Sequence, residues 1–263
     1  MTAAIARAAV ALALALAAAG AGAQAPPRVA LLIGNAAYAD APLRNPANDV
    51  RAVAAALKQV GFSVTTHENL KLAEMRDALR GFVLGTRAAE VRLVYFAGHG
   101  VQLRGRNYLL PVDVVLASES DVLTKTADAT ELIEQLTAID AGANMVIIDA
   151  CRTLPALNAG TRALAGTKNG LSPVVAPRGT LVAFSTRPGR VARDGDGPTS
   201  VYARHLARTL KEAPGLPVEL FFKRVRTGVV EETRNAQVPW ESSDIHGELC
   251  FRPDAGGRCR QGD

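Results

Sequence analysis

The stretch NMVIIDACRTL, Asn144 to Leu154, decides how this chain is read. Met145 to Ile148 form an unbroken apolar run of a length that suits a strand buried on both faces. The run ends on Asp149, and Cys151 follows with Arg152 behind it. Burying an acid and a thiol at a strand end is costly if packing is the only purpose, so the stretch points to chemistry at the rim of a sheet.

Working outward, the same kind of run recurs. RVALLIG (28–34), FSVTTHEN (62–69), VRLVYFAGHG (91–100) and GTLVAFST (179–186) read as further strands. Between them lie helical patterns at 45–61, 71–85 and 128–139, and two more follow at about 199–212 and 217–234. In the first helix Val50, Val53, Ala54 and Leu57 share a face and Gly61 is the stop. VQLRGRNYLLPVD (101–113) reads as a hairpin across Arg104-Gly105. Strands alternating with helices predict an α/β fold, a mostly parallel sheet with helices on both faces.

In such sheets the working site lies at the carboxyl ends of the strands. Two of those ends carry reactive groups: His99 after the third strand and Cys151 after the fourth. Consecutive strands commonly lie side by side, which would bring the two across one cleft. A thiol is mostly protonated at neutral pH, and a nearby imidazole makes it a nucleophile. Taken singly, Cys151 reads as a small buried hydrophobe and His99 as a satisfied strand-end residue. Taken together and flanked by Gly98 and Gly100, they read as a catalytic pair. The glycines are expected to let the backbone turn sharply, with the N–H groups of Gly100 and Cys151 meeting where an oxyanion would form.

Residues 1–25 have the pattern of a secretory signal: Arg7, an Ala/Leu/Val run and an A-x-A ending that predicts cleavage after Ala25. An uncleaved anchor is the alternative. The expectation is a secreted or periplasmic protein with no stable membrane insertion after cleavage. The net charge of +5 is scattered rather than clustered, so no nucleic-acid partner is expected. Of three cysteines, Cys250 and Cys259 flank a Gly-Gly and could pair in an oxidising compartment, leaving Cys151 as the odd thiol.

YFAGHG followed by IDACR, with ALLIGNAAYADAPLRNPANDV upstream and PRGTLVAFSTRPG downstream, resembles the caspase-like cysteine peptidases. The likeness is strongest to bacterial metacaspase-like and orthocaspase relatives. The His-before-Cys order and a separation of about fifty residues fit that clan. The resemblance covers most of residues 26–253, leaving 254–263 as a tail, and implies a three-layer caspase-haemoglobinase-like sandwich. It implies His99 as base, Cys151 as nucleophile and Gly100 as an oxyanion donor, acting on a protein or peptide substrate.

Animal caspases have Gln at the position of Asp149 and Gly at that of Thr153. Metacaspase-type enzymes instead hold a basic side chain between an acid two positions before the cysteine and one in the Asn-Asp after the first strand. Those positions are Asp149 and Asp49, which implies cleavage after Arg or Lys. Read without the resemblance, Asp49 favours the start of its own helix. Asp149 accepts backbone hydrogen bonds. Arg44, placed loosely like the arginine that selects Asp in caspases, argues the other way. No metal site and no cofactor are implied. The residues do not indicate calcium, since Asp194 and Asp196 in the 192–200 loop lack the remaining ligands, while the resemblance, in which some members need calcium, leaves it open. Self-processing would fall among Arg152, Arg162, Lys168, Arg178, Arg190 and Arg193. Two other classes remain open, an inactive caspase-like binding module and a thiol redox protein. The oligomeric state is not set by the sequence.

Overall fold

The run around Ile147 lies in the middle of a sheet. In the computed structural model, residues 27–151, 167–168, 171–188 and 197–260 are described. The chain order is β1 (Arg28–Gly34), α1 (Pro46–Gln59), β2 (Ser63–Glu68), α2 (Leu72–Gly85), β3 (Val91–Leu103) and β4 (Arg106–Leu109). It continues with α3 (Glu119–Thr124), β5 (Ala127–Asp128), α4 (Ala129–Thr137), β6 (Ala143–Cys151), β7 (Thr167–Lys168) and β8 (Thr180–Phe184). The last elements are α5 (Val201–Glu212), α6 (Val218–Glu232) and β9 (Trp240–Ser243).

The main sheet runs β2-β1-β3-β6-β8-β9. Every neighbouring pair is parallel except β8 with β9. Leu93 and Tyr95 of β3, with Met145 and Ile147 of β6, point into a core built with α1, α5 and α6. Val94, Phe96, Val146 and Ile148 point into a second core built with α2 and α4. This alternation explains why the central strands are apolar along their whole length: each face meets a helical layer. A fully buried side chain of this kind contributes roughly 1.5–3 kcal/mol.

The helices begin and end where local chemistry dictates. Pro46 stands in the first turn of α1, and the helix closes at Val60, whose N–H donates to Leu57 O. Gly61 then takes φ +94°, a conformation that a side chain would penalise. Asp128 Oδ1 accepts the N–H groups of Thr130 and Glu131 at the head of α4. Ser200 does the same for α5, accepting Ala203 N–H at 3.0 Å.

Two expectations need correction. The third strand does not stop at Gly-His-Gly but runs on to Leu103, because Gly100–Leu103 pair antiparallel with β4. Neither Gly98 nor Gly100 has a positive φ, so neither makes a sharp turn. Gly98 is required for another reason. A Cβ there would sit 2.7 Å from the Tyr38 hydroxyl and 2.7 Å from Phe96 Cζ. The turn falls later, at Arg104 (φ 51°) and Gly105 (φ 82°), the two left-handed positions of a tight hairpin.

Cys250 and Cys259 form a disulfide, with Cα atoms 5.7 Å apart. Of the three cysteines in the sequence, that pairing leaves Cys151 over. Arg28 at the start of β1 donates to the carbonyls of Cys250 (2.6 Å) and Phe251 (2.9 Å), which ties the tail to the amino end of the sheet. Among the described residues no helix is long and apolar enough to cross a membrane. Residues 1–25, Asp194 and Asp196, and Arg152, Arg162, Arg190 and Arg193 lie outside the described residues.

Candidate active site

Because β3 and β6 are neighbours in parallel register, the pairing continues to their carboxyl ends. Ala97 partners Asp149, and His99 partners Cys151. The two strand ends that the sequence singled out therefore lie side by side on one edge of the sheet.

His99 is 3% exposed and held from several directions. Its backbone N–H donates to the Tyr38 hydroxyl at 3.0 Å, and that hydroxyl donates to Leu110 O at 3.0 Å. The Tyr38 ring packs against the imidazole with centroids 4.5 Å apart. Nε2 lies 2.8 Å from Ala41 O. A carbonyl oxygen only accepts, so Nε2 carries the proton and Nδ1 is the basic nitrogen of the neutral ring. Nδ1 is buried with no hydrogen-bond partner among the described residues. The 35–41 loop that presents Ala41 is itself anchored: Asn35 Nδ2 donates to Leu110 O at 3.0 Å, and Asn35 Oδ1 accepts Leu70 N–H at 2.9 Å.

The placement of Gly100 follows from the ladder. Leu110 N–H donates to His99 O at 3.0 Å, which makes Gly100 and Leu109 a non-hydrogen-bonded pair. The Gly100 N–H consequently faces away from β4. On that other side β6 pairs with β3 as far as His99, and β7 pairs with β3 only at Gln102 and Leu103. Gly100 falls in the interval. A Cβ on it would sit 3.2 Å from Leu171 Cδ2 and 3.3 Å from Ala150 Cβ, which leaves little room for a side chain.

Asp49 and Asp149 are brought together by a residue that the sequence did not single out. Ser200 donates its backbone N–H to Asp49 Oδ1 at 2.7 Å and its hydroxyl to Asp149 Oδ2 at 2.8 Å. Tyr95 also donates to Asp149 Oδ2, at 3.1 Å. Both acids are buried, at 2% and 8% exposure. Asp49 is the acid in the first turn of its own helix, whose N-cap is Asn45, and its Oδ1 also meets the backbone at the head of α5. Burial, followed by the charges of Asp149 and Asp49, raises the Tyr95 phenol well above its ordinary value, so it stays a donor. Burial and then Asp149 and Glu241 do the same to Tyr202. Arg44 is exposed. Among the described residues no group of three His, Cys, Asp or Glu side chains could hold a metal.

Signals for the missed groups were weak. Tyr95 and Tyr202 sit in apolar patterns and read as core. Ser200 reads as a helix cap, which it also is. Ala41 acts through its backbone, which leaves no mark on the sequence.

Comparisons with known proteins agree with the fold. A family model described as the caspase domain matches residues 27–249. Mucosa-associated lymphoid tissue lymphoma translocation protein 1 of Homo sapiens is 32% identical over 140 residues, covering 50% of this chain and 17% of its own length. The homolog from Mus musculus is 32% identical over 140 residues, 16% of its length. The matched segment is thus under a fifth of either relative. The crystal structure of caspase-1 from Spodoptera frugiperda superposes with a TM-score of 0.64 over 88% of this chain and 92% of that one, at 21% identity, a likeness of fold.

Proposed function

Since the chain belongs to the caspase-domain family of cysteine peptidases, we propose that it is an exported endopeptidase that cleaves after Arg or Lys through Cys151 and His99. The observation that supports this most directly is the register pairing of His99 with Cys151. The Cys151 thiol gives its proton to His99 Nδ1, and the thiolate attacks the scissile carbonyl carbon. The electron pair of the carbonyl moves to oxygen, and the N–H groups of Gly100 and Cys151 receive the oxyanion. His99 then returns the proton to the leaving amine as the C–N bond breaks, leaving a thioester on Cys151. Water, deprotonated by His99, hydrolyses that thioester and restores the thiol. The Ala41 carbonyl fixes the ring so that Nδ1 takes part in each transfer.

The basic preference is supported by the convergence of Asp49 and Asp149 on Ser200. Two buried carboxylates favour a cation, and a guanidinium offers planar, two-pronged donation that an ammonium does not. Export is supported by the 1–25 pattern and by the Cys250–Cys259 disulfide, a bond at home in oxidising compartments.

Fluorogenic peptides ending in Arg, Lys and Asp test the reaction, together with labelling by an arginyl chloromethyl ketone. Arg turnover with Asp untouched supports the assignment. Turnover of Asp alone overturns the pocket, and no turnover with no labelling of Cys151 overturns the peptidase. Mass analysis of the exported protein, expected to begin at Pro26, tests the leader.

A further inference from the structure

The end of α5 opposite Ser200 opens onto a cavity of about 660 Å³ that the proposed reaction does not use. With 12 residues in α5, the two ends are separated by roughly 18 Å. Three segments wall the cavity: the end of α5 with Lys211 and Glu212, the start of α6 with Leu220 and Arg224, and the disulfide-closed tail with Arg252 and Arg260.

Its charges do not balance. Glu212 already accepts Arg224 at 3.2 Å. Asp254, also on the wall, spends Oδ1 on the N–H groups of Gly256 (2.8 Å) and Arg258 (2.9 Å). Lys211, Arg252 and Arg260 make no ion pair among the described residues. The two tail arginines are fixed in place through their backbones, Arg252 N–H to Pro214 O at 2.8 Å and Arg260 N–H to Gly215 O at 2.7 Å. A site held in shape before a ligand arrives loses less entropy on binding.

The surface between the cations is apolar. Leu220 is 43% exposed, and Leu216, Pro214 and Pro253 complete the lining. Among the described residues no aromatic side chain lines the cavity to stack on a nucleobase. We propose that this cavity docks an acidic peptide segment, its carboxylates meeting Lys211, Arg252 and Arg260 and an apolar side chain resting on Leu216 and Leu220. This inference does not depend on the peptidase reading, because it concerns binding at a surface away from Cys151.

The test uses the full protein carrying Cys151→Ala and a fluorescent peptide of Asp, Glu and Leu with no basic residue, against its Asn/Gln/Leu counterpart. Anisotropy is expected to show binding of the acidic peptide only, weakening as salt shortens the Debye length. Arg252→Glu with Arg260→Glu should weaken it by about tenfold or more, and Lys211→Glu on the helix surface should weaken it by itself. Equal binding of both peptides, or full binding to a charge-reversed protein with an unchanged melting temperature, would overturn the proposal. So would tighter binding of a single-stranded oligonucleotide that is lost in the same variants.

Discussion

The Ser200 hydroxyl donates to Asp149 at 2.8 Å, from a residue whose backbone N–H already holds Asp49 and whose oxygen caps α5. One serine thus sets the spacing of two acids delivered by different elements. Ser200→Ala leaves the backbone contact to Asp49 but takes one donor from a buried carboxylate, a change of roughly 1–3 kcal/mol. We expect kcat/KM on an Arg-ended peptide to fall about tenfold, mostly through KM, with Arg/Lys selectivity reduced. Losing the cap should also lower stability by about 1 kcal/mol. Ser200→Thr keeps a hydroxyl and should recover the selectivity. A purely structural role would lower the melting temperature and leave the Arg/Lys ratio alone.

His99 and Cys151 should behave as one unit. Cys151→Ala and His99→Ala are each expected to lower kcat by about 10⁴-fold or more, and the double variant to be no worse than the worse single one. Additive losses, measured with the Arg-ended peptide, would mean that the two side chains act separately.

Much of this arrangement is legible before any coordinates. The apolar runs at Val94–Phe96 and Val146–Ile148 demand helices on both faces, and a sheet of that kind places function where His99 and Cys151 stand. The hairpin across Arg104-Gly105 was legible, but the continuity of its first arm with β3 past His99 was not, because one strand there changes partners from β6 to the antiparallel β4. β9 escaped notice for a similar reason. Its residues Glu241, Ser242 and Ser243 are polar, and pairing with Ala183, Val182 and Leu181 makes them a strand. The hub at Ser200 is a tertiary fact: a polar residue with an adequate local role as a cap acquires a second role only when α1, β6 and α5 meet.

Gly98 tests how tightly the imidazole is held. Gly98→Ala would drive a methyl into the Tyr38 hydroxyl, the group that receives His99 N–H. Overpacking of this kind costs about 1–3 kcal/mol. The melting temperature should fall, and kcat should fall further than in Tyr38→Phe, which removes the hydroxyl without adding volume. Wild-type kcat and stability in Gly98→Ala would show that the loop moves aside freely and that Tyr38 does not position the base.

His205, on the same helix that Ser200 caps, should govern acid stability. It is 5% exposed on α5, pressed against Gly228 of α6. Nε2 lies 2.7 Å from Glu232 Oε2, and Arg208 donates to Nδ1 at 3.0 Å, an arrangement that suits the neutral ring. Burial pulls its pKa below the ordinary 6.5, with Arg208 and Arg204 acting the same way and Glu232 opposing them. Burial pushes Glu232 up, but the hydrogen bonds from His205 and Arg204 outweigh it and hold the carboxyl below 4.5. Both folded-state values are depressed, so the folded protein binds fewer protons than the unfolded chain. Their stabilisation is complete above 6.5 for His205 and above 4.5 for Glu232, and it is lost as pH falls through the folded values. The melting temperature should therefore drop on acidification below pH 6.5, and His205→Gln, which cannot take up that proton, should flatten this part of the curve. Parallel curves for the two proteins between neutral pH and 4.5 would show that the acid sensitivity arises elsewhere.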